Sequence, residues 1–198
     1  MSGAEVIGII SGIIAIIDAT VKIYSAANDA SGLPEAFRDV ALRLPLVSKT
    51  LQNISENNIT PDDKWRKTME PVLQRCKDRA KRLGEIFNDV VPQAGASRME
   101  RYALAALTWG KGDTVESLMK GILEDVQLMT SNRVAELPTQ TSVAAVIREA
   151  IEKVSVIPSS LPNGILLPGR LLKTSLNTEQ ALTHPLLTKM NETPYSRS

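Results

Sequence analysis

Cysteine and histidine are nearly missing from this chain: Cys76 and His184 are the only example of each. One cysteine cannot close an intrachain disulfide, so the fold must stand on packing. Together they cannot assemble a zinc site of several Cys and His ligands. A Ser-His-Asp or Cys-His arrangement would have to use His184, which lies in a proline-containing stretch near the C-terminus. Aromatic residues are also scarce, 4% against 43% hydrophobic overall, so the apolar mass is aliphatic. Neither charge sign dominates, with 23 basic and 22 acidic residues and a net charge of +1. That balance speaks against a cationic field for nucleic acid, and no nucleic-acid partner is expected. The thin inventory of acids, bases and nucleophiles points away from an enzyme, with no catalytic residue, metal or cofactor expected.

Strand patterns are scarce as well. Apolar residues recur at helical spacing instead. A first block spans about Ala4 to Ala27, and its stretch Val6–Ile17 is uncharged. Phe37, Val40, Leu44, Val47, Leu51 and Ile54 form one seam at spacings of 3 and 4. Pro45 inside it predicts a kink or two abutting helices. A third block opens at Thr60-Pro61-Asp62-Asp63, suited to a helix start, and carries a seam from Trp65 to Val90 that includes Cys76. Pro71 predicts a second kink. A fourth block covers about Ala96 to Thr108. Asp113 is placed to cap a fifth, which ends near Asn132, and a sixth spans roughly Thr141 to Ser155. The sum is an all-α, up-and-down bundle of four to five long helices. Residues 1–157 are the expected domain, and 158–198 an irregular or disordered tail containing prolines.

The N-terminal block carries the functional signal. A secretory signal would need a basic start, but Glu5 stands there. The 12 uncharged residues span about 18 Å, short of a hydrocarbon core of about 30 Å. Extension to Tyr24 reaches that thickness but carries Asp18 and Lys22, which can pair at i and i+4. A resting place at the centre of the bundle is expected. Gly8 and Gly12 form a GxxxG pattern, and each helical glycine costs about 0.5–1 kcal/mol relative to alanine. Close approach of another helix, inside the fold or in lipid, would justify them.

Two further features are weaker. The loop Gly110-Lys111-Gly112-Asp113-Thr114 lacks the order of a phosphate loop and reads as a helix–helix turn. The cations Arg75, Arg79, Lys81 and Arg82 are interleaved with acids and read first as a solvated helix face. Their alternative role is a patch for anionic lipid headgroups.

The wording of several segments resembles a known family. These are SGAEVIGIISGIIAIIDATVKIY (2–24), ASGLPEAFRDVALRLPLVSKTLQ (30–52), CKDRAKRLGEIF (76–87), the stretch 101–129, and VAAVIREAIEKVSVIPSSLP (143–162). They are similar to the N-terminal domain of fungal NACHT-type NTPases, the SesA-like family within the HeLo-like group. The resemblance implies an all-α module at the front of NOD-like receptors, acting in fungal non-self recognition. It further implies programmed cell death through oligomerisation and membrane insertion of the N-terminal helix. The implied segment holds Ala4, Val6, Ile7, Gly8, Ile10, Ser11, Gly12, Ile13, Ile14, Ala15 and Ile17. The implied partners are homologous helical domains or a NACHT-type receptor, a second copy on activation, and an anionic membrane. Implied localisation is cytoplasmic, with relocation to the plasma membrane on activation. An adaptor working by helix–helix contacts without lipid is the other reading. Residues 163–198 depart from the family's usual Gly/Asn/Ser-rich segment and hold no phosphate loop.

Overall fold

Ser2 starts the first helix. Its side chain accepts from the Glu5 amide at 3.3 Å, while the Ser2 amide donates to the Glu5 carboxylate at 2.5 Å. This reciprocal cap satisfies two otherwise orphaned donors. The Ser2 amide bond also holds the Glu5 carboxyl below its ordinary pKa. The structure, a computed structural model, describes residues 2–27, 32–56, 63–93, 97–109, 113–131 and 138–161. Among them there are seven helices and no strand. They are α1 (Gly3–Ser25), α2 (Glu35–Ala41), α3 (Leu44–Glu56), α4 (Asp63–Val90), α5 (Ser97–Trp109), α6 (Val115–Ser131) and α7 (Pro138–Ser155). The all-α class is as the periodicity predicts. α1, α4, α6 and α7 are the long members, each of 17 residues or more.

The seam through Pro45 resolves into two abutting helices. α2 ends at Ala41, and α3 starts at Leu44 with Pro45 in its first turn, where a missing N–H costs least. α4 runs through Pro71 as one helix. The start of α6 differs from expectation. Thr114 caps it, its Oγ1 accepting from the Ser117 amide at 3.3 Å, while Asp113 is drawn to Arg82. The expected cap at Thr60 and the glycines of the 110–112 loop lie outside the described residues, as does His184.

α4 is the central helix and touches α1, α5 and α6. α1 runs parallel to it, with Glu5 and Gly8 beside Glu70 and Lys77, and Ile23 beside Asn88 and Asp89. α6 runs antiparallel to it, since Arg82, Arg79 and Arg75 meet Asp113, Gly121 and Asp125 in turn. An aromatic chain crosses the core. Tyr24 of α1 lies 6.1 Å from Phe87 of α4, Phe87 lies 5.0 Å from Phe37 of α2, and Phe37 lies 5.0 Å edge-on to Tyr102 of α5.

The residues after α7 return to the bundle. Ser160 is buried, and its amide donates to Glu116 Oε1 at 3.0 Å. Its hydroxyl lies 2.5 Å from Glu116 Oε2 and against the Tyr102 hydroxyl, which accepts from the Val115 amide. One proton order satisfies all of these groups. The Val115 amide donates to Tyr102, Tyr102 to Ser160, and Ser160 to Glu116. Burial pushes the Tyr102 phenol up to about 12, so it keeps the proton it donates. Of the expected tail, residues 158–161 therefore include a tethered position, and 162–198 lie outside the described residues.

Candidate functional site

α1 is apolar enough that its side of burial cannot be guessed from hydropathy, and the structure decides it. Val6, Ile10, Ile13, Ile17 and Thr20 form the buried stripe, at spacings of 4, 3, 4 and 3. The opposite face carries Ala4, Gly8, Ser11, Ala15 and Ala19, all small and all exposed. Ile7, Gly12 and Ile14 stand half-buried between them. This corrects the expectation of a helix enclosed at the centre of the bundle. α1 lies on the bundle with one face inward, and 28% of its most apolar 18-residue window is buried. That window has a mean hydropathy of 2.1, and the helix is long and apolar enough to cross a membrane.

The glycines follow the same division. A Cβ placed on Gly8 or Gly12 meets nothing within 4 Å, so neither glycine serves a close approach among the described residues. Close approach falls instead at Gly84 of α4, where a Cβ would stand 3.2 Å from Thr20 Oγ1 and 3.4 Å from Ile16 Cγ2. Asp18 takes a hydrogen bond from the Ser48 hydroxyl at 2.8 Å, tying α1 to α3. Of the two charged residues that would oppose membrane crossing, Asp18 is therefore used in the folded state, and Lys22 is exposed.

The candidate lipid patch is divided by α4. Arg75, Arg79 and Arg82 face α6, whereas Lys81 lies on the side towards α1. All four are paired with acids. Arg75 Nε lies 2.9 Å from Asp125 Oδ1, and Arg79 Nη1 lies 2.6 Å from Asp125 Oδ2. Arg79 Nη1 also donates to the Gly121 carbonyl at 2.8 Å. Arg82 meets Asp113 at 2.5 Å, and Lys81 lies 3.8 Å from Glu85. The hydrogen bond to Asp125 raises the Arg75 guanidinium further above its ordinary pKa. Asp125 itself has no exposure. Sequence reasoning missed this carboxylate, although its position on the apolar side of α6, three residues after Ile122, is a signal.

Cys76 sits fully buried on the α4 seam. Burial pushes its thiol up to about 12, with the nearby Asp125 charge adding to the shift. The thiol therefore stays protonated at pH 8. The folded chain is expected not to react with an aromatic disulfide reagent at that pH, and to titrate one thiol after denaturation. Native labelling as fast as in denaturant would contradict the packing of α4. Among the described residues, no group of three His, Cys, Asp or Glu side chains is placed to hold a metal ion.

No curated protein and no solved structure matches the chain. One family profile does, over residues 10–129, which take in most of α1 and all of α2 to α5 and reach into the last turn of α6. Its description is the N-terminal domain on NACHT NTPases and P-loop NTPases, the setting of a signalling or effector module. An all-α bundle matched over more than half its length in this way belongs to the SesA family.

Proposed function

We propose that this domain is a non-enzymatic effector whose α1 leaves the bundle on enforced proximity, associates with other copies and enters a membrane. The supporting observation is the mismatch on α1. The helix is apolar enough to span a bilayer, yet only one stripe of it is used for packing. At 23 residues it is about 34 Å long, against a hydrocarbon core of about 30 Å. Its outward face is a row of small residues with open space at Gly8 and Gly12, the surface that lets helices approach closely in lipid. The reading gives no headgroup role to Arg75, Arg79 and Arg82, whose charges are held by Asp125 and Asp113.

The test is dye leakage from anionic liposomes by the domain fused to an inducible oligomerisation tag. Charges must go on the exposed face, because Ile10 is fully buried and a charge there would unfold the bundle. Ser11→Asp with Ala15→Asp lowers helix propensity and sets like charges at i and i+4, so the melting temperature should fall by only a few degrees and the bundle should stay folded. An aspartate at the bilayer centre costs about 2.5–3.5 kcal/mol per helix, so leakage should fall about a hundredfold or more. Unchanged leakage by this folded variant sinks the membrane reading. A tagged domain that stays diffuse in the cytosol when oligomerised would favour the adaptor.

A further inference from the structure

One hydroxyl beside α1 departs from the habit of the others. Thr20, Thr50, Thr68, Thr130 and Ser155 each donate to the carbonyl four residues back in their own helix. That is an ordinary choice for a hydroxyl inside a helix. Ser48 of α3 is as deeply buried as Thr130, yet it donates to Asp18 Oδ1 at 2.8 Å, across 30 residues of sequence. Asp18 stands four residues after Ile14 and three before Val21, both partly buried and packed against the core. A carboxylate in that position needs a donor, and Ser48 supplies one. Ile16 and Thr20 lie close against Gly84 of α4. At one level, therefore, α1 is held on two sides, by shape at α4 and by a hydrogen bond to a carboxylate at α3.

The same side chain also opposes the other state. The midpoint of Gly3–Ser25 is Ile14. In a spanning α1, Glu5 and Lys22 stand nine and eight residues from it, about 12–14 Å along the axis and near the edges of a core about 30 Å thick. Lys22 also has the reach to place its amine among the headgroups. Asp18 stands four residues from the midpoint, about 6 Å, and its side chain is too short to reach either surface. Of the three charged residues of α1, it alone must enter hydrocarbon. We infer that Asp18 is a brake on α1 that acts on both states. Through Ser48 it holds the helix in the bundle, and through its charge it makes the bilayer a poorer destination. Release then needs a drive from outside the helix, such as the proximity of further copies, and does not follow from hydropathy alone. The inference says how the helix assigned above to membrane entry is regulated, and so rests on that reading.

Two substitutions in the full chain separate the two actions. Ser48→Ala removes the bond and leaves the charge. Asp18→Asn removes the charge and leaves an amide oxygen that Ser48 can still meet. Hydrogen exchange of the α1 amides in the absence of lipid, measured relative to those of α6, reads the first action. Ser48→Ala should raise it about fivefold, and Asp18→Asn by less. Thr50→Val removes a buried hydroxyl of α3 that is bonded within its own helix, and should leave α1 exchange unchanged. Leakage of anionic liposomes on induced oligomerisation reads the second action. Asp18→Asn should raise it about tenfold at limiting protein, and the double variant further. Unchanged α1 exchange in Ser48→Ala, or a rise matched by Thr50→Val, overturns the inference. So does leakage by Asp18→Asn no greater than that of a wild-type chain that itself leaks. Leakage by none of the proteins, wild type included, sinks the membrane reading instead, and the exchange result then decides the brake alone.

Discussion

Replacing Arg75 and Arg79 together by alanine is expected to lower the stability of the bundle by about 3–5 kcal/mol, because a buried carboxylate is left without a cation. Asp125 has no exposed surface and takes its charged partners from these two residues of α4. Urea denaturation followed by circular dichroism reads the loss. Removing the acid is a different experiment from removing the bases. The Arg75 and Arg79 side chains are 45% and 31% exposed, so in Asp125→Asn they can turn towards water. That variant should lose less, about 1–3 kcal/mol. Arg82→Ala breaks a pair whose arginine is 48% exposed and should cost less than about 1 kcal/mol. A double alanine variant no weaker than Arg82→Ala would mean that Asp125 is not the buried member of this pairing.

Phe87→Ala should have a comparable effect, about 3–5 kcal/mol, for a different reason. Phe87 is fully buried and joins Tyr24 of α1 to Phe37 of α2. Four of the seven aromatic residues lie in this one chain of contacts, so the scarce rings are concentrated where three helices meet a fourth. Alanine leaves a void lined by the two neighbouring rings. The loss corresponds to a drop of about 10 °C in melting temperature for a chain of this size. Phe87→Leu keeps most of the volume and should fall by less than half as much. Equal losses for the two variants would show that ring contacts, and not volume, dominate at this site.

The helices were legible because their polar and apolar residues alternate with a period, and the seams through Phe37–Ile54 and Trp65–Val90 map onto α2, α3 and α4. The orientation of α1 was not. A stretch such as Val6–Ile17 offers no charged residue and a single hydroxyl, Ser11, to contrast with the apolar ones, so pattern alone says little about which side is inward. The structure answers through size instead, with branched residues inward and Gly, Ala and Ser outward. The Ser2 cap was missed, although Ser2 and Glu5 stand at the spacing a reciprocal cap requires. The arginine cluster was visible as a cluster, but its partners are up to 50 residues away and on another helix. Local charge patterning has no reach over that distance. The same limit hid the Tyr102–Ser160–Glu116 chain, whose members are separated by as many as 58 residues.

That chain bears on where the folded unit can be cut. A boundary at residue 157 follows the change in composition, but it removes Ser160 and leaves a buried phenol and a carboxylate without the group that joins them. A fragment 1–157 should therefore melt below a fragment 1–161, whose four extra residues add no helix but seat Ser160 and pack Leu161 against the core. Among the described residues, the fold is therefore closed by a serine hydroxyl and a leucine that stand beyond its final helix.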